Sequence, residues 1–531
     1  MKAMFYNGVV YTGDCIVDTF IVEDNHFLFV GHYHDALKFM SEDDCFIDLN
    51  NKFVCSGFND SHMHLLNYGS SLMNAQLTEY TDSLEKLCHY LKRFIVEKGL
   101  KEEEWVLGRG WNHDYFTDVN RMPNRFDLDN VSTSHPICIT RVCGHCLVVN
   151  SKALECIGID VNDENIDINM RNGIFYDDYL QKVYRAIPIP CKEDLKNMLR
   201  AASQSLNSYG VTSCQSDDYC TFRSISWEDI NEAYKELVEE NELTVRVNEQ
   251  ANLTCLNDLK EFYSQCYEND TGDTMFKIGP LKILGDGSLG ARTAFLSENY
   301  RNDPTTRGML CYDEKVIEDM ICFANEKGMQ IAVHAIGDQC LDVVLNAYEK
   351  ALKQLPRDNH RHGIVHCQIS RDDQLKRIKE LELSVYVQTI FLDYDIRIVY
   401  DCVSAQLAST SYSWKTLLDS GVYVSNGTDC PVELPDPLRA IQCAITRKTL
   451  DGVGPYLENQ SFTIKEAIDS YTKASAYVSF EENIKGYIRE KYLADFVVLD
   501  KNLFDIDVNC VKDVRVLETY LDGKCVFRKM D

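Results

Sequence analysis

The chain has 531 residues, with 83 acidic against 54 basic side chains and a formal net charge of −29. At 45% hydrophobic and 26% charged residues it has the balance of a folded globular protein, too long for one simple core, so a large domain with one or two smaller ones is expected. A surface this acidic repels phosphate backbones and anionic membranes, which argues against both as partners and leaves a small-molecule substrate.

The start, MKAMFYNGVVYTGD, lacks the long apolar stretch of an export signal and is broken by two turn dipeptides. No apolar run approaches the roughly 20 residues of a membrane span. The 22 cysteines are scattered, many inside apolar runs such as those at Cys55, Cys138, Cys214, Cys322 and Cys443. That pattern predicts reduced thiols packed as small apolar groups in a cytoplasmic protein. Oligomeric state leaves no signal in the sequence, and a homo-oligomer is compatible with it.

Residues 1–51 predict short strands and turns. Met4-Phe5-Tyr6 and Val9-Val10-Tyr11 flank Asn7-Gly8 as a hairpin would, and 19–22 and 27–30 flank Asp24-Asn25 in the same way. The last stretch, 485–531, repeats this pattern at 496–499, 514–521 and 525–527. Together the two ends are expected to build one small β-sandwich domain. Residues 52–484 alternate apolar strand-like runs, at 53–58, 211–215, 244–250, 278–285, 330–335, 363–367, 384–390 and 422–426, with helical patterns. Helices are predicted over 314–327 and 338–353 from their apolar faces, with Gly328 ending the first. Eight such units predict an α/β fold of the (β/α)8 barrel type, whose reactive groups belong at the C-terminal ends of strands. Roughly 150 residues separate the first two runs, far beyond a unit of about 30, so an inserted lobe is expected at about 70–205.

The candidate chemistry gathers at strand ends. His62 and His64 follow the run 53–55, and residues i and i+2 of an extended chain face one side, so two imidazoles aim at one point. Neutral imidazole is a common ligand for zinc and similar ions. Lys282, His334, His366 and Asp429 each close an apolar run of their own. Six groups of these types at strand ends read as a built metal site, whereas a lone His-x-His pair would more often be a chance surface pair.

These residues resemble the amidohydrolase superfamily of metal-dependent hydrolases, most closely its YtcJ-like branch, which includes N-substituted formamide deformylases. The resemblance is carried by Gly57-Phe58-Asn59-Asp60-Ser61-His62-Met63-His64, by Gly108-Arg109-Gly110-Trp111, and by Gly144-His145 with 150–154 after it. It continues through the block from Lys282 to Ala294 with Asp286-Gly287-Ser288-Leu289-Gly290, through 334–338, Ser425-Asn426-Gly427-Thr428-Asp429 and Ala494-Asp495-Phe496. The resemblance spans nearly the whole chain. It implies a barrel plus a terminal β-sandwich, and metal ligation by His62, His64, Lys282, His334, His366 and Asp429. Departures from the branch pattern are Ser56, Asn112, Val148, Thr389 and Glu490-Lys491-Tyr492; none is an implied ligand, and those in the lobe bear on substrate choice.

The implied reaction is hydrolysis of a C–N bond, amide or formamide, by metal-activated water, with deamination or ester hydrolysis open on the same site. Zinc suits the mixed donors best, one or two ions per chain. An ammonium has no lone pair to give a metal. The resemblance therefore implies a carbamate on Lys282, made from carbon dioxide; the alternative is a lysine paired with a carboxylate such as Asp286. Asp429 would take the water's proton and pass it to the leaving nitrogen. Substrate-binding candidates are Asp286, Arg292, His145 and Trp111. Arg292 could instead fix the loop of strand four, and Trp111 could instead pack inside the lobe. Cys143 and Cys146 have thiol-oxidoreductase spacing, but that activity needs a helix N-terminus after a strand, and strand-like runs flank them on both sides.

Overall fold

The computed structural model describes residues 2–80, 82–143, 145–163, 166–176, 179–267 and 271–530. The chain forms two compact units, Met1–Asn67 with Leu199–Asp531, and Tyr68–Met198. No helix among the described residues is long and apolar enough to cross a membrane.

The larger unit holds an eight-stranded, all-parallel sheet in sequence order: β1 Phe58–Met63, β2 Val211–Ser216, β3 Arg246–Asn252, β4 Phe276–Leu284, β5 Ile331–Ala335, β6 Gly363–His366, β7 Ser384–Val387 and β8 Val424–Asn426. Helices run between the later strands. Glu314–Glu326 buries Ile317, Met320, Ile321 and Ala324, and Asp338–Gln354 buries Leu341, Val344, Ala347 and Ala351. The strands read from the sequence as seven of these runs are present with small changes of bounds, because each apolar run is covered on both faces.

The sheet closes between β8 and β1. The Asp429 N–H donates to the His62 carbonyl at 2.8 Å. The buried Asp60 carboxylate accepts the Thr428 hydroxyl at 2.5 Å and the Thr428 N–H at 3.1 Å. Gly427 is required there, since a Cβ would lie 2.6 Å from both Asp60 Oδ1 and the His62 nitrogen.

The first predicted strand divides. Phe53–Ser56 is not a barrel strand; it pairs with Phe496–Leu499 and with Val9-Val10 in a six-stranded sheet of the two termini. The barrel begins only after Gly57. The predicted hairpin at Asn7-Gly8 is also corrected. Lys2–Tyr6 belongs to a four-stranded sheet with Thr19–Glu23, His26–Gly31 and Cys45–Asp48, whereas Val9–Tyr11 belongs to the six-stranded sheet. Asn7, at φ +57, turns the chain from one sheet to the other. A local turn signal gives the bend, not which strand pairs afterwards. Between the sheets lies a core of Phe5, Phe20, Phe27, Val54, Phe496 and Tyr520, with Phe496 and Tyr520 stacked at 4.4 Å.

The smaller unit is built on a five-stranded sheet, Ile174–Tyr176, Cys146–Val149, Ile137–Arg141, Val106–Trp111 and Ala75–Gln76. One apolar cluster contains Leu87, Leu91, Trp111 and Ile139, and a second contains Cys138, Leu147, Leu154 and Phe175. Alternation along each strand sends successive side chains to opposite faces.

The barrel's base is tied to the terminal sheets by Arg246 of β3. Its guanidinium, 2% exposed, donates to both oxygens of Asp495 at 2.7 and 3.0 Å and to Asp522 at 2.6 Å. Removing the cation leaves two carboxylates facing each other in a dry site. Arg246→Met is expected to lower stability by about 3–5 kcal/mol, read as an earlier urea midpoint. An unchanged midpoint would show that the cluster contributes nothing to cohesion.

Candidate metal centre

The C-terminal ends of the strands carry the candidate ligands. His62 lies in β1, and His64 just past it, its N–H bonded to the Cys430 carbonyl. Register sets Asn252 beside Lys282, Leu284 beside His334, and Ala335 beside His366. Barrel closure then brings Asp429 across to β1. Ligand atoms of His62, His366 and Asp429 all lie within 4.8 Å of one another, and all three side chains are buried. Asp429 Oδ1 is 3.4 Å from His62 Nε2 and 3.0 Å from His64 Nε2.

The outer nitrogens of the histidines are occupied. His62 Nδ1 bonds Gln250 Oε1 at 2.9 Å, His366 Nδ1 bonds Gln388 Oε1 at 2.6 Å, and His64 Nδ1 bonds the Asp217 carbonyl at 2.9 Å. An acceptor on Nδ1 fixes the proton there and leaves the Nε2 lone pair for a metal. Burial, with the charge of Lys282 added for His62 and that of His334 for His366, holds both imidazoles far below the usual titration range, so both are neutral ligands. Asp429 is buried, which works against its charge, but the His64 hydrogen bond and the surrounding imidazoles hold its carboxyl far below the usual range. His64 goes the other way. Burial opposes its charge, yet the Asp429 bond and the charges of Asp217 and Asp429 lift it to about 9. Without a metal, His64 and Asp429 form an ion pair.

Two of the three clustered residues have unusual backbones. His366 has φ +77 and Asp429 φ +57, in the left-handed region that non-glycine residues seldom adopt. Strain of this kind concentrates where side-chain placement outranks local comfort. The donor set, two neutral imidazoles and an ionised carboxylate with oriented outer bonds, fits a divalent ion of the zinc type.

Lys282 is 1% exposed, and its Nζ lies 3.1 Å from Asp217 Oδ2 and 3.5 Å from His62 Nε2. The carboxylate facing Lys282 is therefore Asp217, not Asp286. Asp217 follows β2, also accepts Asn252 Nδ2 at 3.2 Å, and supplies the carbonyl that orients His64. It had no sequence signal beyond a polar end to an apolar run. The next residue, Asp218, is clamped from outside the barrel. Its carboxylate accepts Tyr234 Oη at 2.5 Å and the Leu66 N–H at 2.9 Å, and its own N–H donates to Glu249 Oε1 at 3.0 Å. Glu249 is fully buried, and its Oε2 has no hydrogen-bond partner among the described residues. Burial and the charge of Asp218 push its carboxyl well above the ordinary range, towards the neutral form.

The other predicted residues are placed as follows. The His334 ring packs on that of His366, 4.4 Å between centroids, but its Nε2 faces the Gly287 carbonyl at 3.2 Å and Asp286 Oδ1 at 3.3 Å instead of the cluster. Asp286 is not open to a substrate. Its carboxylate, 2% exposed, accepts the N–H groups of Phe295, Ile336 and Gly337 at 2.8–3.0 Å and so pins the loops after β4 and β5. Arg292 has φ +60, is half-exposed, and faces Asp303 at 3.9 Å. Trp111 is fully buried in the core of the smaller unit, with its indole N–H on the Ile139 carbonyl, so packing accounts for it. His145 is exposed in the same unit. Cys143 lies in a turn and Cys146 opens a strand, so neither stands at a helix N-terminus; Gly144 between them lies outside the described residues.

The amidohydrolase family model matches residues 46–527. The chain is 31% identical over 545 positions, covering all of both chains, to YtcJ of Bacillus subtilis (strain 168), an amidohydrolase by name. It is 22% identical to an N-substituted formamide deformylase of Arthrobacter pascens, over 90% of this chain and 89% of that one. Among solved structures, an uncharacterized metal-dependent hydrolase from Pyrococcus horikoshii OT3 superposes with a TM-score of 0.79 at 27% identity, covering 96% of this chain and 99% of that one. Another from Pyrococcus furiosus gives 0.78 at 30%, covering 95% and 100%.

Two outcomes are expected. For His64 to give a metal its Nε2 lone pair, it must lose the proton it holds below about pH 9. Zinc binding should therefore release at least one proton at pH 7, that of His64, with more where Lys282 also gives up its own, and weaken by at least about tenfold per pH unit on acidification towards pH 6. Calorimetry in buffers of different ionisation enthalpy reads this directly, and binding without proton release would put His64 outside the ligand set. Second, Glu249→Gln, which keeps a neutral hydrogen-bonding group, should retain wild-type zinc affinity, while Glu249→Leu should weaken it about tenfold or more by freeing the turn of Asp217. Equal affinities in the two variants would make the turn independent of Glu249.

Proposed function

The chain belongs to the amidohydrolase family, and on that footing we propose that it hydrolyses a carbon–nitrogen bond, amide or formamide, of a small organic molecule. The observation that carries this reading is the buried cluster of His62, His366 and Asp429 at the barrel mouth, with His64 at Asp429 and with outer bonds that free each Nε2. Its name ties one relative to formamide cleavage, which supports the choice of bond.

The ion would be held by His62, His64, His366 and Asp429, with zinc the best match to nitrogen and carboxylate donors. When bound, it supplies a Lewis acid for the substrate carbonyl and lowers the pKa of water. The chain's own groups do the rest. Asp429, ionised and at the centre of the cluster, accepts a proton from the attacking water at a carboxylate oxygen and returns it to the leaving nitrogen. Gln250 and Gln388 keep the imidazoles aimed inward throughout.

Lys282 Nζ lies 3.5 Å from the His62 nitrogen that would ligate, and an ammonium there has no lone pair to offer an ion. Loss of its proton and addition of carbon dioxide gives a carbamate and a released proton, replacing the cation with two anionic oxygens that can ligate.

Elemental mass spectrometry of the zinc-loaded protein tests the assignment. Lys282→Met is expected to lose at least one equivalent of metal relative to wild type; full retention would return Lys282 to a structural ion pair with Asp217. Activity is tested on the same samples. Simple N-alkylformamides and acetamides should be hydrolysed by the zinc-loaded enzyme, and Asp429→Asn should lower kcat by about 10²–10⁴-fold. Turnover of esters or ring amines with no amide cleaved would overturn the C–N amide reading while leaving the metal centre intact.

A further inference from the structure

Beside the metal cluster, on the side formed by the loops after β7 and β8, apolar side chains stand partly or wholly in solvent. Phe391 is half-buried, and its ring lies nearly parallel to the imidazole of His366, with centroids 5.9 Å apart and planes at 14°. Tyr394, three residues on and so on the same helical side, is 58% exposed. Val432 closes the turn begun at Asp429, its N–H on the Asp429 carbonyl at 2.9 Å, and is 66% exposed. Leu434 follows, 49% exposed. The β4 loop comes up to the same place, since a Cβ on Gly290 would lie 3.7 Å from the Tyr394 ring. Scattered exposed apolar residues are ordinary, but two of these touch residues of the metal cluster itself.

Charge around them is selective. The ionisable side chains interleaved with them are Asp393, Asp395 and Glu433. Asp395 is occupied by Gln368 Nε2 at 2.7 Å and Tyr412 Oη at 2.9 Å, and Asp393 accepts the Leu450 N–H at 2.6 Å. A carboxylate placed against these two segments would meet like charge, and the cations nearby already face carboxylates, Arg292 of the β4 loop facing Asp303 at 3.9 Å and Arg439 lying near Glu433. A ring or branched alkyl group would instead cover exposed carbon.

We infer that Phe391, Tyr394, Val432 and Leu434 form a subsite for an apolar, uncharged substituent of the substrate, seated against the His366 side of the reacting bond. The inference rests on the hydrolase reading for what the substituent is attached to, so its test uses binding instead of turnover. Hydroxamic acids, R–CO–NHOH, chelate the metal of a hydrolase whatever bond that enzyme cleaves. Their affinities for the zinc-loaded full-length protein are measured by calorimetry with R as methyl, butyl, 2-phenylethyl and 2-carboxyethyl. The phenylethyl compound is expected to bind at least about tenfold tighter than the methyl one, as burial of a ring predicts, and the carboxyethyl compound no tighter than methyl. In Phe391→Ala the phenylethyl advantage should fall to about twofold, and Phe391→Leu, which restores apolar bulk, should recover most of it. Affinities indifferent to R, or an advantage that survives Phe391→Ala, overturn the subsite. So does a dimer in sedimentation that buries Tyr394 and Leu434, since the patch would then belong to a second copy.

Discussion

Closure of the barrel between its first and last strands is the constraint on which the rest depends. Asp429 and His62 are 367 positions apart in number, and neither binds a metal alone. The seam joins them through the Asp429 N–H on the His62 carbonyl and through the buried Asp60 carboxylate on Thr428. Gly427 lets the strands approach that closely. Once the seam is shut, Asp429 has little freedom left, and its left-handed backbone is the local cost of pointing the carboxylate at three imidazoles.

Around that seam the site is organised in shells of opposite character. Inside, the groups aimed at the candidate metal position are the imidazoles of His62 and His366 and the carboxylate of Asp429, with two cations beside them, Lys282 on Asp217 and His64 on Asp429. Outside, amide oxygens of Gln250 and Gln388 and the carbonyl of Asp217 accept protons from the far side of each ring. The turn that carries Asp217 is in turn held by Asp218, Tyr234 and the buried Glu249. Burial and the neighbouring Asp218 both favour the neutral form of Glu249, which accepts a backbone N–H without adding charge. The acidic composition of the chain thus coexists with a centre whose own charges are closely paired.

The proposed chemistry and the proposed substrate subsite separate on the same face. The candidate metal donors come from strand ends, where the sheet fixes them, and the exposed apolar side chains come from the loops that follow β7 and β8. Loops can vary without disturbing the strand-end ligands, which is how one barrel supports many substrates. Phe391 joins the two groups, since it lies just past β7 and its ring stacks on the candidate ligand His366.

Much of this was legible in the sequence because it depends on local period and on residue type. Alternating apolar runs and helical faces determined the barrel, and His62, His64, Lys282, His334, His366 and Asp429 stood out as metal-site residue types at the ends of apolar runs, although His334 turns its Nε2 to the Gly287 carbonyl and Asp286. What the sequence could not decide was pairing. The run 53–58 reads as one strand, yet its first four residues pair with the C-terminal sheet and only the part after Gly57 enters the barrel. The Asn7-Gly8 turn reads as a hairpin, yet it leads from one sheet to another. Asp286 reads as a site residue and is consumed by three backbone N–H groups, while Asp217, with no motif of its own, faces Lys282. Hydrogen-bond partners distant in sequence are chosen by the register of the closed sheet, and register is a property of the packed chain; residue type and spacing determine which groups are available, and tertiary structure alone determines which of them meet.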